Sequence, residues 1–228
     1  MGTTPFMLSS AIWRGHAGLV RSRTVQRIVE VCVQEWVRFG HTILVGNRIV
    51  HRGAKETQRG FHQRVGDYWR GGAGHKFDGK DTEEYWSSTF ICWVMRRAGL
   101  LEGEFPSTRR HSLYIHRALQ SATLPDGGAV FQGRRLGDYA PKVGDLVCYS
   151  RSSWMNGYDK ARSHEKYSAH GDIVIHVERP RHIWTIGGNV GDSVGLRILN
   201  TDARGRLDPK LNPTSAWFCA IENHLPRQ

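Results

Sequence analysis

Helices first and an antiparallel sheet second: this order of local patterns predicts an α+β fold. Three observations carry it. Apolar residues recur at helical spacing through the first half of the chain, most clearly from Val25 to Val37. After Gly127-Gly128 the character changes to short β-like runs separated by Gly-rich or polar turns. Helical and strand patterns do not alternate, as a βαβ fold with a parallel sheet would require.

The elements follow in chain order. Residues 1–23 have no clean period and are expected to form a basic N-terminal arm ahead of one domain over residues 24–228. Val25, Ile28, Val29, Cys32, Val33, Trp36 and Val37 make one helical face that Gly40 ends. Residues 42–50 predict a short hairpin turning at Gly46-Asn47. A second helix is expected over Gln58 to Arg70, with Phe61, Val65 and Tyr68 or Trp69 inward, and then a Gly-rich loop from Gly71 to Lys80. A third runs from Ser87 to Ala98, where Ile91, Val94, Met95 and Ala98 form a stripe that Gly99 stops. Ser107 is a suitable N-cap for a fourth helix reaching Leu119. Strands are predicted over 146–150, 172–177, 182–186, 194–199 and 216–222. Between the first two lies the polar segment Arg151 to Ala169, which carries Trp154 and Tyr158 and has the length of a lid or binding loop.

Composition narrows the classes. A chain of 228 residues with 39% hydrophobic and 23% charged residues suits one globular domain, and eight Trp argue against disorder. No apolar run approaches the roughly 20 residues that span a bilayer. Met1 to Ser10 lack a basic segment followed by a long apolar one, so no secretory leader is expected. If the substrate lies outside the cytoplasm, some other route is expected to deliver the protein. The excess of 32 Lys+Arg over 21 Asp+Glu, a net +11, favours an anionic partner, unless it is simply a solvated basic surface. No recognition-helix or RNA-binding signature accompanies it, so nucleic acid is not the expected partner. Cys32, Cys92, Cys148 and Cys219 form no C-x-x-C pair and sit among apolar neighbours, as buried reduced thiols do; a structural disulfide is the alternative. His164, His170 and His176 with Asp172 are too loosely spaced for a zinc site, and neither metal nor cofactor is expected.

Tyr85-Trp86-Ser87-Ser88-Thr89 delivers hydroxyl groups to the first turn of the third helix. Free N–H groups there stabilise an anionic nucleophile or a developing oxyanion. Cys92, five residues on, faces elsewhere. Downstream, His170-Gly171-Asp172 places a histidine at a strand start. Ile173, Ile175 and Val177 are expected on one face, with His170, Asp172 and His176 on the other. Gly187-Gly188-Asn189 ends the next strand with an amide able to orient an imidazole.

This arrangement resembles the papain-like cell-wall amidases of the NlpC/CHAP kind, whose helix begins Cys-x-x-Phe/Leu before an aromatic and an apolar pair. Phe90 and Trp93-Val94 match that pattern and put Ser87 at the cysteine position; Val143-Gly144-Asp145-Leu146-Val147 resembles the lead into the first sheet strand. A closer resemblance is to an uncharacterised bacterial family of the same clan. It is carried by Glu35-Trp36, Phe39-Gly40, Tyr68-Trp69, Trp86 to Gly99, His111-Ser112 and Tyr114-Ile115, and it covers roughly residues 24–222. The resemblance implies a papain-like fold and hydrolysis of an amide bond in peptidoglycan. Ser87 would be the nucleophile, His170 the base and Asn189 the orienting residue. Ser88, Trp86 and Asp172 would stand beside the reacting atoms and the oxyanion, and His111, Trp154 and Tyr158 would contact substrate. Serine is a weaker nucleophile than a thiolate. The alternative is therefore a non-catalytic basic module that binds cell wall or another anionic polymer on the same scaffold. Were the protein a secreted effector, a dedicated inhibitor protein would accompany it.

Overall fold

The computed structural model describes residues 22–122, 129–155 and 157–226; residues 1–21 of the expected arm and Gly127-Gly128 lie outside them, while the arm's last two residues, Ser22 and Arg23, open the first helix. Five α-helices and eight strands occur among the described residues, in the predicted order of helices before most of the sheet. Ser22 caps helix α1 (Arg23–Arg38) by accepting from the Val25 amide. Strands β1 (Thr42–Val45) and β2 (Arg48–His51) form the predicted hairpin, with Gly46 at φ +59° in its turn. Helix α2 (Phe61–Ala73) is tied to α1 by Glu35, which accepts from Arg64 at 2.7 and 2.8 Å and from the Tyr68 hydroxyl at 2.5 Å.

Helix α3 (Ser87–Arg97) matches its expected span, and helix α4 (His111–Ser121) follows. The remaining elements are β3 (Phe131–Arg135), β4 (Leu146–Ser150), helix α5 (Tyr158–Ser163), β5 (Ala169–Glu178), β6 (His182–Gly187), β7 (Gly195–Asn200) and β8 (Ala216–Asn223). The eight strands form one sheet in the order β2-β1-β7-β6-β5-β4-β8-β3, antiparallel throughout except for the β1–β7 pair. Helical side chains such as Trp36, Trp86, Phe90 and Ile115 bury one face of the sheet with Ile173, Ile175 and Ile186. Val147, Tyr149, Val174, Leu199 and Trp217 make a second cluster with Leu136 and Leu207.

Several expectations are corrected. Helix α2 continues through Gly71 and Gly72, because close packing against α3 demands glycine there: a Cβ on Gly72 would lie 2.0 Å from the Thr89 carbonyl oxygen. Helix α4 starts at His111 instead of after Ser107, whose hydroxyl donates instead to Glu102 at 2.6 Å. Strand β3 carries no clear alternation and was not expected; its Gly133 lets Leu119 of α4 press against the strand. A bulge between Val174 and His176 shifts the alternation of β5, so Val177 packs with Val174 and Val147 and not with Ile173 and Ile175. All four cysteines are buried free thiols. No helix among the described residues is long and apolar enough to cross a membrane.

Candidate active site

The start of α3 is held rigidly. The Trp86 indole donates to the Glu56 carboxylate at 2.5 Å, and Gly188 leaves room for its ring. The hydroxyls that follow have separate partners. Ser88 donates to the Thr108 carbonyl at 3.0 Å and Thr89 to the Trp86 carbonyl at 2.8 Å. Ser87 Oγ instead lies 2.7 Å from His111 Nε2. His111 is the first residue of α4, and its Nδ1 meets the Tyr114 hydroxyl at 2.5 Å, one turn along the same helix face. The result is a chain from Ser87 through His111 to Tyr114.

Burial, followed by electrostatic interaction with His170 and Arg151, holds His111 well below the ordinary imidazole value. Burial also holds the Tyr114 phenol well above its own. The imidazole is therefore neutral at pH 7, with one nitrogen free to accept a proton.

A second network adjoins the first. His170 Nε2 is 2.8 Å from Asp172 Oδ1, and Arg197 donates to Asp172 Oδ2 at 2.6 Å and to the Tyr149 hydroxyl at 3.3 Å. The sheet register explains the meeting: Tyr149 faces His170 across β4–β5, and Thr185 faces Arg197 across β6–β7. Burial alone would raise Asp172, but Arg197 and His170 hold its carboxyl below the usual range. Burial pushes His170 down to about 4 against the opposing pull of Asp172. An ionised Asp172 only accepts, so the neutral His170 donates from Nε2 and turns its Nδ1 lone pair toward Arg151, 3.4 Å away. The His170 and His111 rings stand 5.1 Å apart. Gly187 makes the space, because a Cβ there would fall 1.9 Å from Asp172 Oδ1.

Ser87 and His111 line a cleft of about 770 Å³ together with Tyr85, Arg110, Arg151 and Lys166. They are nearly covered, at 3% and 5% exposure, and His170 is at 0%.

The structure thus brings Ser87 together with His111, expected only as a substrate contact, while His170 is joined to Asp172 and Arg151. Asn189 stands in the turn after β6 at φ +54°, and it is Asp172 that orients His170. Trp154, 45% exposed, packs against His164. Tyr158 donates to the Gly133 carbonyl, with Arg135 over its ring. Neither lines the cleft. His164, His170 and His176 do not converge; no group of three or more potential metal ligands occurs among the described residues. Tyr114, Tyr149, Arg151 and Arg197 were not anticipated. The His111-x-x-Tyr114 spacing and the lone charge of Arg197 inside an apolar strand were the available clues.

No curated protein and no solved structure matches the chain. The family described as "Uncharacterized protein conserved in bacteria (DUF2272)" matches residues 56–218, a span that contains Ser87, His111, Tyr114, His170, Asp172 and Arg197. The chain belongs to this family.

Proposed function

We propose that the protein is an amide hydrolase of papain-like architecture that acts on peptidoglycan-like material, with Ser87 as nucleophile and His111 as general base. The observation that carries this is the 2.7 Å contact between Ser87 Oγ and His111 Nε2, made at the first residue of α3 and facing the cleft. In the tautomer that donates Nδ1–H to Tyr114, Nε2 accepts the Ser87 proton while Oγ attacks the carbonyl carbon. The first N–H groups of α3 have no intrahelical acceptor and can donate to the oxyanion. His111 then returns the proton to the leaving nitrogen as the C–N bond breaks. Water, deprotonated by the same imidazole, hydrolyses the acyl-serine. Tyr114 holds the ring, and the His170–Asp172–Arg197 network supports it from the sheet. A helix N-terminus packed on a largely antiparallel sheet, with a histidine at a strand start, supports the papain-like assignment. The net +11 supports an anionic wall polymer as substrate.

Incubation with purified peptidoglycan tests the reading. Wild type should release muropeptides or new amines, and Ser87→Ala should not. The slight exposure of Ser87 favours a second reading, a module that binds wall without cleaving it. Co-sedimentation without products, unchanged by Ser87→Ala, would support that reading instead.

A further inference from the structure

The cleft around Ser87 has an unbalanced wall. Arg109 is neutralised by Glu84 at 2.7 Å. Arg110, Arg151 and Lys166 also line the cleft and are exposed, and none has a carboxylate within ion-pair distance among the described residues. With the Arg109–Glu84 pair set aside, the lining holds three cations against the single carboxylate of Glu83. These cations line the same cleft as Ser87 and His111. Arg110 directly precedes His111. The Arg151 guanidinium lies 3.4 Å from His170 Nδ1, and it reaches over the Tyr149 ring at 6.0 Å. Lys166 comes from the segment leading into β5. Three elements therefore aim positive charge at one place, and a guanidinium fork suits a carboxylate.

We propose that Arg110, Arg151 and Lys166 form a carboxylate subsite, which seats a carboxylate of the substrate next to the bond that Ser87 attacks. Only the position of the scissile bond rests on the reading of Ser87 as nucleophile; the subsite itself is a matter of binding. The substrate class becomes a peptide amide with a free carboxylate within a residue or two of the cleaved bond. Specificity would arise because a neutral analogue leaves the cations without a counter-ion in a partly closed cleft.

Binding tests this without turnover. Wild type, Ser87→Ala, Arg151→Gln and Lys166→Gln are titrated by NMR with N-acetyl-alanyl-alanine, with its C-terminal amide, and with methyl phosphate. The subsite predicts that wild type and Ser87→Ala bind the carboxylate peptide at least about tenfold more tightly than the amide. Arg151→Gln and Lys166→Gln should each erase most of that preference, with shifts centred on His111, Arg151 and Ala169. Equal affinity for peptide acid and amide in wild type would overturn the proposal, as would a preference that survives both substitutions. Tighter binding of methyl phosphate than of the peptide acid would overturn the carboxylate assignment. Preference in the titration without cleavage of peptidoglycan would leave the subsite standing and sink the hydrolase reading alone.

Discussion

Two histidines share the neighbourhood of Ser87, and their partners divide their work. His111 touches the hydroxyl at 2.7 Å, whereas His170 faces an ionised aspartate and an arginine. On the proposed reading, His111→Ala should lower hydrolysis of peptidoglycan by roughly 10²–10⁴, and His170→Asn should cost less, since it loosens support without removing the proposed base. Steady-state rates of the two variants check this; the reverse order would return the base to His170. Burial also gives the pair a pH signature. The folded His170 value, near 4, lies below the ordinary imidazole value of about 6.5, and His111 is shifted in the same direction. Between those limits the unfolded chain binds more protons, so stability is complete above pH ~6.5 and is lost as pH falls toward 4, by up to about 1.4 kcal/mol per pH unit for one histidine. Asp172, held low, adds its own loss only below about pH 4. Urea unfolding at pH 7.5 and pH 5 should show the decline, and His170→Asn should flatten it; an unchanged or rising midpoint would contradict the buried neutral state. The place of Ser87 in the first turn of α3 was legible from the apolar stripe that follows it, although a hydroxyl there is also an ordinary helix cap. The pairing with His111 was not, because it depends on how the 101–110 loop brings the first residue of α4 to the first residue of α3, which no local pattern encodes.

At the scale of elements, glycines decide what the side chains cannot. Gly71-Gly72 suggested a loop, yet both belong to a helix that must approach the α3 backbone at Thr89. Gly72→Ala should lower stability by about 1–3 kcal/mol through overpacking, while Gly103→Ala, with open space around the added methyl, should change it little. Comparison of the two urea midpoints tests the packing, and equal effects would contradict it. Gly187 acts likewise beneath Asp172. In the sequence Gly187-Gly188 read only as the strand end that presents Asn189; their missing side chains also admit the Asp172 carboxylate and the Trp86 and Phe90 rings. Helices α1 and α3 and the strands from β4 onward were legible because their periodicities are strong. Strand β3 was not, because Phe131-Gln132-Gly133-Arg134-Arg135 owes its pairing to β8 and its glycine to Leu119. The bulge in β5 is equally invisible to a simple alternation count.

Across the whole molecule, the net charge of +11 should act at long range, whereas the cleft acts by contact. Association with purified peptidoglycan should weaken as salt rises from about 0.05 to about 0.5 M, because the screening length shrinks to a few ångströms. Co-sedimentation measures this, and a flat response would mean that shape, not charge, governs the encounter. The α+β order and the largely antiparallel sheet were legible from the succession of periodicities. The parallel joining of the N-terminal hairpin through β1 to β7 was not, since it pairs residues some 150 positions apart. The proposed chemistry needs this fold to make Ser87 a nucleophile through His111. A fluorophosphonate probe tests it most directly, because the serine oxygen displaces fluoride from phosphorus and leaves a stable adduct. Intact-mass analysis and peptide mapping should find one adduct, on Ser87, that is absent in Ser87→Ala and forms at least about a hundredfold more slowly in His111→Ala. No adduct on the wild-type protein, or an adduct formed equally fast without His111, would contradict the account.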